Sequence, residues 1–495
     1  MSFNSWQFLV FLPVVILFYY ILPHKVRWVW LLAASYFFYM SWNPWLIFLI
    51  ISTTLVSYLS GLFMEKTEKP GIKKLLLVAT IVICLGLLVF FKYANFLTDS
   101  VYAIIRLFVP KIESPSLNIL LPIGISFYTF QTLSYVIDTY RGKYKAERHL
   151  GYYALFVSFF PQLVAGPIER PDKLIPQLKE KHKFDLDDFL IGFRIMVCGF
   201  FYKIVVADFT GIFVNNVYGD LSHATSLSVF LASLLFCIQI YGDFNGYSEI
   251  AVGSARMLGI HLTQNFNRPY ASRTYAEFFR RWHISLNYWF TSYVYIPLGG
   301  NRKGKFRKEL NVLIVFLLCG LWHGADWTFV LWGGCAAIFL IMEDLLSDPV
   351  AKLFGKMGIS PTSKPILAIR HFFFFVFLPL SAIFFRSANL AQAFEAYRIL
   401  FTVFPADFFP ATFASLGIGI AEALFLVVDL AFMELLISLS FINRKAITEP
   451  TFSTMSKKKL CLHVATIGLA IACIAFMWAY GLGNGGSSQF AYFQF

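Results

Sequence analysis

A histidine deep in an apolar segment is the residue whose position most clearly points to chemistry. His323 lies in the sequence Leu-Trp-His-Gly, fifteen residues after Lys308, the last basic residue of a polar loop. On a helix that separation is roughly 22 Å, which reaches far into a hydrocarbon core of about 30 Å. A neutral imidazole can serve there as a general base near neutral pH. The alternative is a core histidine that is hydrogen-bonded to a neighbouring helix.

A second histidine lies two residues after a pair of arginines. Arg280 and Arg281 precede Trp282 and His283. Adjacent arginines either anchor a helix at the membrane interface or clamp an anion such as a nucleotide phosphate, and both interpretations remain open. His283 could orient a substrate or a partner side chain. The sequence has no His-x-x-x-His and no His-Cys cluster, so no metal site is predicted.

The composition requires that these residues be positioned by membrane helices. Of 495 residues, 58% are hydrophobic and only 14% are charged, and the mean hydropathy is +0.66. A soluble domain has about 25% charged residues, so a soluble fold and a disordered chain are both excluded. The net charge of +13 comes from short loops between apolar runs, which favours the positive-inside pattern over a nucleic-acid surface.

Apolar runs divide the chain into candidate spans, and one of them predicts a re-entrant segment. The run 150–165 has basic loops on both sides, so it cannot cross from one face to the other. The run 309–342 is too long for one span, and we expect it to bend or break near Gly320 or Gly333–Gly334. The predicted runs are 8–23, 28–42, 45–64, 74–91, 117–137, 150–165, 188–207, 225–241, 309–342, 366–386, 414–441 and 460–481.

The loop charges also predict the orientation. Basic loops at 24–27, 65–74 and 302–308 are assigned to the cytoplasm, so both termini are expected outside the cytoplasm. The first run has no basic leader and no small-x-small cleavage pattern, so it is interpreted as a retained span. Seven cysteines lie within apolar runs without a Cys-x-x-Cys pair, which predicts buried free thiols rather than disulfides.

Four motifs in this order resemble the membrane-bound O-acyltransferase family, in its bacterial alginate O-acetyltransferase-like branch. Two of them contain His283 and His323, forty residues apart. The resemblance covers most of the chain up to about residue 345. The motifs are Pro-Gln-Leu-Val-Ala-Gly-Pro-Ile at 161–168, Asp-Phe-Asn-Gly-Tyr-Ser at 243–248, Arg-Arg-Trp-His-Ile-Ser-Leu at 280–286 and Leu-Trp-His-Gly at 321–324.

The resemblance implies an all-α polytopic membrane protein with about 11–13 transmembrane helices and re-entrant segments around a central tunnel. It implies an acyltransferase that uses acetyl-CoA as a donor substrate, with no permanently bound cofactor. His323 is the implied catalytic residue and His283 the second histidine. The residues expected to line the tunnel or position substrate are Arg280, Arg281, Asn287 and Trp322.

The chain ends in a sequence that resembles an acyl-relay motif of teichoic-acid D-alanylation. A Gly- and Ser-rich stretch leads to Phe-Ala-Tyr-Phe-Gln-Phe at 490–495, which makes Tyr492 an acyl-relay candidate. A packed aromatic tail is the alternative. The chain offers no outer domain for a polysaccharide, so the expected partner is an extracytoplasmic serine-hydrolase-like (SGNH) acetyltransferase or a polysaccharide-handling protein, besides membrane lipids. No nucleic-acid partner is expected.

The predicted organisation has four parts in a bacterial cytoplasmic membrane. These are N-terminal helices over 1–115, a catalytic core over 116–345, C-terminal helices over 346–481 and an extracytoplasmic tail over 482–495. The expected function is O-acetylation of an alginate-like exopolysaccharide or a cell-wall glycan. Two alternatives remain open: an acyltransferase with another donor, such as a D-alanyl carrier protein, and a polytopic glycan transporter or flippase.

Overall fold

The computed structural model describes residues 1–115, 117, 119–164, 166–360, 363–438 and 455–479. Helices make up nearly all of the regular structure, and the described part of the chain contains no β-strand. Within the residues that the structure describes, seven helical segments are long and apolar enough to cross a membrane. The predicted all-α polytopic class is therefore confirmed. The number of 11–13 crossings, like the central tunnel, stays a prediction.

The chain divides into two compact units, residues 1–196 with 248–263 and residues 197–247 with 264–495. This division does not test the four predicted parts. The predicted tail 482–495, including Tyr492, lies outside the described residues.

The first unit is built from short and long helices packed around buried aromatic rings. Tyr153, which is fully buried, donates a hydrogen bond from its hydroxyl to the Ser57 Oγ at 2.7 Å and packs on Tyr135. Its helices are α1 (Trp6–Ile21), α2 (His24–Met40), α3 (Ile47–Lys66), α4 (Pro70–Leu88), α5 (Ala94–Arg106), α6 (Ile125–Tyr140), α7 (Leu150–Ser158), α8 (Phe160–Leu163) and α9 (Pro171–Lys179).

The predicted re-entrant run forms two short helices rather than one span. The helices α7 and α8 have nine and four residues, and Phe159 between them leaves the helical conformation. A nine-residue helix is about 13 Å long, which is less than half of a hydrocarbon core. Every residue from 153 to 164 is buried, so protein shelters the irregular backbone, which a re-entrant segment would need, and the position of this segment in the membrane stays a prediction.

Two helices belong partly to each unit, and one of them corrects a predicted boundary. These are α10 (Leu186–Phe200) and α12 (Ser226–Arg256), with α11 (Asp208–Gly219) between them. The run predicted to end at 241 continues as α12 because its polar residues are satisfied inside the protein. Asp243 pairs with Lys203 at 2.7 Å, in the π-helical segment Phe201–Ala207. Gly242 lies against the Tyr202 carbonyl oxygen.

The second unit carries the helices that surround both candidate histidines. They are α13 (Tyr275–Arg281), α14 (Ile284–Phe290), α15 (Lys305–His323), α16 (Trp327–Lys356), α17 (Lys364–Arg386), α18 (Leu390–Thr402), α19 (Phe408–Leu416), α20 (Ile420–Ser438) and α21 (Lys457–Ala479). Apolar runs did not predict the helices α5, α9, α11, α13, α14, α18 and α19. These helices are short or carry charges, so a search for long apolar runs misses them.

The long run 309–342 breaks after His323, between α15 and α16, three residues beyond Gly320, which was one of the two expected places. Asp326 ends the break because its side chain accepts a hydrogen bond from the Thr328 N–H at 2.8 Å, a typical helix N-cap. Gly320 and Gly333 instead let the two helices touch. A Cβ on either glycine would lie 2.2 Å from a carbonyl oxygen of the opposite helix.

All seven cysteines are free thiols, as predicted. Three of them, Cys84, Cys198 and Cys237, are buried. The expectation of burial was wrong for Cys461, which is exposed on α21. The chain is a membrane protein, and an apolar thiol can face lipid as readily as it can face the core.

Candidate active site

His323 is the last residue of α15 and lies among aromatic rings. Only 5% of the residue is exposed. Its imidazole meets Trp332 of α16 edge to face at 5.1 Å between ring centroids, and Phe385 of α17 at 5.4 Å. The hairpin of α15 and α16 brings Trp332 to this position because the two helices touch at Gly320 and Gly333. The imidazole is thus held by flat apolar rings on more than one side.

His283 stands at the start of α14 in a conformation that is rare for a residue with a side chain. Its φ of 44° and ψ of 56° are left-handed. It is 2% exposed, and neither ring nitrogen has a hydrogen-bond partner in the described part of the chain. His283 lies outside the long apolar helical segments. Burial lowers the pKa of His283 to about 3, so its ring is neutral near pH 7.

Trp322 contacts both candidate histidines. Its ring centroid lies 5.0 Å from that of His323 and 5.7 Å from that of His283. Phe244 of α12 also contacts His283 edge to face, with 4.5 Å between the two ring centroids. The structure therefore brings His283, Trp322 and His323 together in one aromatic cluster, although the two histidines are forty residues apart in sequence.

Two adjoining cavities open beside this cluster. The first offers about 50 Å³ to the centre of a water-sized group, and the second about 30 Å³. On the same measure about 10–15 Å³ accommodates one water molecule, so each cavity has room for a small acyl or hydroxyl-bearing group. Both are lined by apolar and aromatic side chains. The residues that line both cavities are Phe279, Trp282, His323 and Trp332.

The position of His323 between the two cavities defines what the arrangement can do. A group in either cavity can approach the same imidazole, and His283 lines the second cavity only. A buried imidazole between two small cavities can take a proton from a hydroxyl on one side and return it to a leaving group on the other. The surrounding rings exclude water, which would otherwise compete as an acceptor.

The remaining predicted residues lie at different distances from the cavities. Asn287 lines the second cavity, and its side-chain nitrogen donates to the Phe279 carbonyl at 3.0 Å. Arg281 pairs with Glu277 at 2.6 Å, and Arg280 is exposed at the end of α13. Neither arginine is among the described residues that line these two cavities. Their role in positioning substrate stays a prediction, as does that of Tyr492.

The sequence reasoning missed most of the rings that shape the cavities. Phe279 and Trp282 flank the two arginines, so their place in the motif was a usable signal. Trp332 and Phe385 come from α16 and α17, and nothing in the local sequence indicates that they meet His323. No group of three or more metal-ligating side chains occurs within the described ranges.

A buried ion cluster supports the segment that carries Phe244. The Lys203 ammonium lies 2.8 Å from Asp208 and 2.7 Å from Asp243, and all three side chains are almost fully buried. Asp243 is directly followed by Phe244, whose ring contacts His283. Because buried charges remain ionised only when they are paired, the cluster fixes this part of α12 against the segment Phe201–Ala207.

Comparison with known proteins finds relatives whose printed names all describe the transfer of an acyl group. The family model described as membrane-bound O-acyltransferase matches residues 147–384. The chain is 38% identical to a probable alginate O-acetylase of Azotobacter vinelandii, over 81% of this chain and 78% of that protein. It is 33% identical to a peptidoglycan O-acetyltransferase of Helicobacter pylori, over 80% and 79%. A teichoic acid D-alanyltransferase of Bacillus subtilis matches at 28% over 47% of this chain and 61% of that protein.

Proposed function

Because the chain belongs to the membrane-bound O-acyltransferase family, we propose that it moves acetyl groups from cytoplasmic acetyl-CoA towards an extracytoplasmic polysaccharide. The family and the named relatives establish an acyltransferase. Together with seven long apolar helices, they establish a multi-pass integral membrane protein. What we propose beyond this is the identity of the acyl donor, the identity of the acceptor and the route of the acetyl group between them.

The position of His323 in the wall of both cavities carries this proposal. A transferase needs a donor and an acceptor to meet at one base, and the two cavities meet at this imidazole. The first cavity is the more apolar environment, lined by Phe385, Ala336 and Cys237, which suits an acetyl group. The second contains His283 and Asn287, which offer polar atoms to a hydroxyl.

The proposed transfer conserves every atom and proton. His323 accepts the proton of the acceptor hydroxyl while the oxygen attacks the thioester carbonyl carbon. The carbon–sulfur bond then breaks, the acetyl group stays on the oxygen as an ester, and the proton passes from the imidazolium to the coenzyme A thiolate. The imidazole returns to its neutral form, so no other reactant is consumed.

A basic loop before α15 supports the choice of a phosphate-bearing donor. Lys308 is neutralised by Asp344 at 2.5 Å, whereas Arg302, Lys303 and Lys305 are exposed. Exposed cations attract the phosphates of coenzyme A over a long range. The same charges would also attract an acidic carrier protein, so the D-alanyl donor is tested beside acetyl-CoA.

The proposed acceptor follows from the relatives whose printed names specify alginate or peptidoglycan. In this proposal Tyr492 receives the acetyl group first and an extracytoplasmic serine-hydrolase-like acetyltransferase then takes it to a sugar hydroxyl. The protein lies in a bacterial cytoplasmic membrane, with both termini on the outer side, because the basic loops are assigned to the cytoplasm.

Donor use is tested with purified protein in lipid nanodiscs. Radiolabelled acetyl-CoA and a D-alanyl-loaded carrier protein are supplied separately, each with an excess of a soluble hydroxyl-bearing glycan as acceptor, and release of free coenzyme A or carrier is followed. We expect turnover with acetyl-CoA alone, and mass spectrometry should detect O-acetyl esters on that acceptor. Turnover with the carrier alone would replace the donor, and no turnover with either would favour a transporter.

The relay is tested separately with Tyr492→Phe, which removes only the hydroxyl. Tyr140→Phe is the matched control because Tyr140 is 40% exposed and lines neither cavity in the described structure. We expect the first variant to lose glycan acetylation and the second to keep it. Unchanged acetylation in Tyr492→Phe would leave the tail only a packing role.

A further inference from the structure

The left-handed backbone of His283 needs a physical support. A side chain at positive φ crowds the following carbonyl, so such residues persist only where their surroundings over-determine them. His283 and Arg268 are the two non-glycine residues with positive φ in the described ranges. His283 is also the N-cap of α14, yet its side chain caps nothing. Another residue must therefore satisfy the first N–H groups of this helix.

Asn265 supplies the missing cap from eighteen residues earlier in the chain. Its backbone oxygen accepts the Ile284 N–H at 2.9 Å. Its side-chain oxygen accepts the Ser285 N–H at 3.3 Å and the Ser285 hydroxyl at 2.6 Å. These are bonds that an N-cap side chain normally makes within its own helix. Asn265 and Ser285 are 2% and 4% exposed, so water is largely excluded as a substitute.

A second pair of bonds keeps the two segments in register. The Asn267 N–H donates to the Arg281 carbonyl at 2.9 Å, and the Arg281 guanidinium reaches back to the Asn267 carbonyl at 3.4 Å. The residues 265–267 therefore run beside 281–284 and hold the turn from both ends. His283 lies inside this turn, which explains why it can keep a conformation that its side chain disfavours.

We propose that Asn265 is a positioning residue, which caps α14 in place of His283 and so leaves the imidazole of His283 available to the acyl acceptor in the second cavity. The observation behind it is geometric. A histidine that capped its own helix would aim a ring nitrogen at the backbone, whereas both ring nitrogens of His283 lack a partner in the described structure. The inference rests on the proposed function, because it assigns the acceptor to this cavity.

The experiment is a double-mutant cycle on purified protein in nanodiscs, with acetyl-CoA turnover as the rate. Asn265→Ala removes the side-chain acceptor, and Asn265→Asp keeps an oxygen in place at a helix N-terminus, where a carboxylate is favoured. Each is made with His283 present and with His283→Ala. Asn216→Ala is the control, because it removes one side-chain bond, to the Leu416 carbonyl at 2.9 Å, at residues that line neither cavity.

We expect Asn265→Ala to lower kcat at least tenfold, because a reacting group that is misplaced by about 1 Å costs about 10²-fold in rate, with the KM for acetyl-CoA unchanged. Asn265→Asp should recover most of the rate. In the His283→Ala background Asn265→Ala should change the rate less than twofold, whereas Asn216→Ala should have the same effect in both backgrounds. If the rates in the His283→Ala background are too small to compare, recovery of the rate by Asn265→Asp in the parent background tests the inference instead.

Three results would overturn the inference. One is an equal loss in both backgrounds, which would make Asn265 a general structural residue. Another is failure of Asn265→Asp to recover the rate while its thermal midpoint matches that of the parent protein. The third is a His283→Ala rate equal to that of the parent protein, which leaves Asn265 nothing to position. A parent protein that does not turn over acetyl-CoA would instead overturn the proposed function.

Discussion

Gly333→Ala would force apart the helix pair that carries His323. A Cβ at Gly333 would lie 2.2 Å from the Phe316 carbonyl oxygen and 3.2 Å from the Gly320 Cα. To reach an ordinary contact of 3.4 Å, α15 and α16 must separate by about 1.2 Å at this crossing. His323 is three residues beyond Gly320 on α15, so it moves with that helix.

The expected magnitudes follow from that displacement. Overpacking of this kind costs about 1–3 kcal/mol of unfolding free energy, and a misplacement of about 1 Å at a reacting group costs about 10²-fold in rate. We therefore expect acetyl-CoA turnover to fall about 10²-fold while the protein still inserts and folds. The assay measures turnover and the thermal unfolding midpoint of the same nanodisc preparation.

The neighbouring glycine is the control. A Cβ at Gly334 would meet the Leu317 Cδ2 at 3.6 Å, an ordinary contact, so Gly334→Ala needs no movement of the helices. It should keep full turnover and gain a few tenths to about 1 kcal/mol, because alanine is the better helix former. Equal turnover in the two variants would refute the argument that backbone contact at this crossing places His323.

Three further outcomes are expected. Lys203→Met removes the counter-ion of Asp208 and Asp243 and should lower the unfolding free energy by about 3–5 kcal/mol, whereas Asp208→Asn leaves one ion pair and should cost clearly less by thermal unfolding. Ala336→Val fills the first cavity and should lower turnover at least tenfold with a stability change below about 1 kcal/mol; full turnover would place the acetyl group elsewhere. The pKa of His283 is about 3 when folded and 6.5 when unfolded, so the unfolded chain binds more protons between these values and stability falls as the pH drops below 6.5. Between pH 7 and 5 the parent protein should lose about 2 kcal/mol of unfolding free energy relative to His283→Asn. If the unfolding free energies of the two proteins fall in parallel over this range, the neutral state of His283 in the folded protein is contradicted.

The long apolar helices could be predicted because they follow from a one-dimensional pattern, whereas the depth of His323 in the membrane stays a prediction. A basic loop followed by a long apolar run indicates where a helix begins, and α15 begins at Lys305, inside that loop. The short helices α7 and α8 agree with the re-entrant segment that the flanking basic loops indicated.

The glycines placed the break in the run 309–342 only approximately, because α15 ends three residues beyond Gly320. Gly320 and Gly333 themselves form the contact between α15 and α16. The better signal was Asp326, because an aspartate before Trp-Thr is a typical N-cap. Likewise, α12 continues past its apolar part because Asp243 forms an ion pair with the buried Lys203 of another segment. No local sequence pattern indicates this pairing.

The candidate site was predictable in its two histidines and much less in its surroundings, and Trp322 contacts both histidines but lines neither cavity in the described structure. Both histidines were named from the motifs that contain them, and the structure brings them to one aromatic cluster. The cap that Asn265 provides for α14 depends on tertiary contacts across eighteen residues, so spacing did not reveal it. Arg280 and Arg281 were named for their charge, which says nothing of whether they line a cavity.

The most direct test of the central claim is the acetyl content of the surface glycan in cells that carry His323→Ala. His223→Ala is the matched control, because His223 is exposed and lines neither cavity in the described structure. With equal amounts of both variants in the membrane, we expect His323→Ala to leave no ester above background and His223→Ala to match the parent. Normal acetylation in His323→Ala would contradict the assignment of this imidazole as the base.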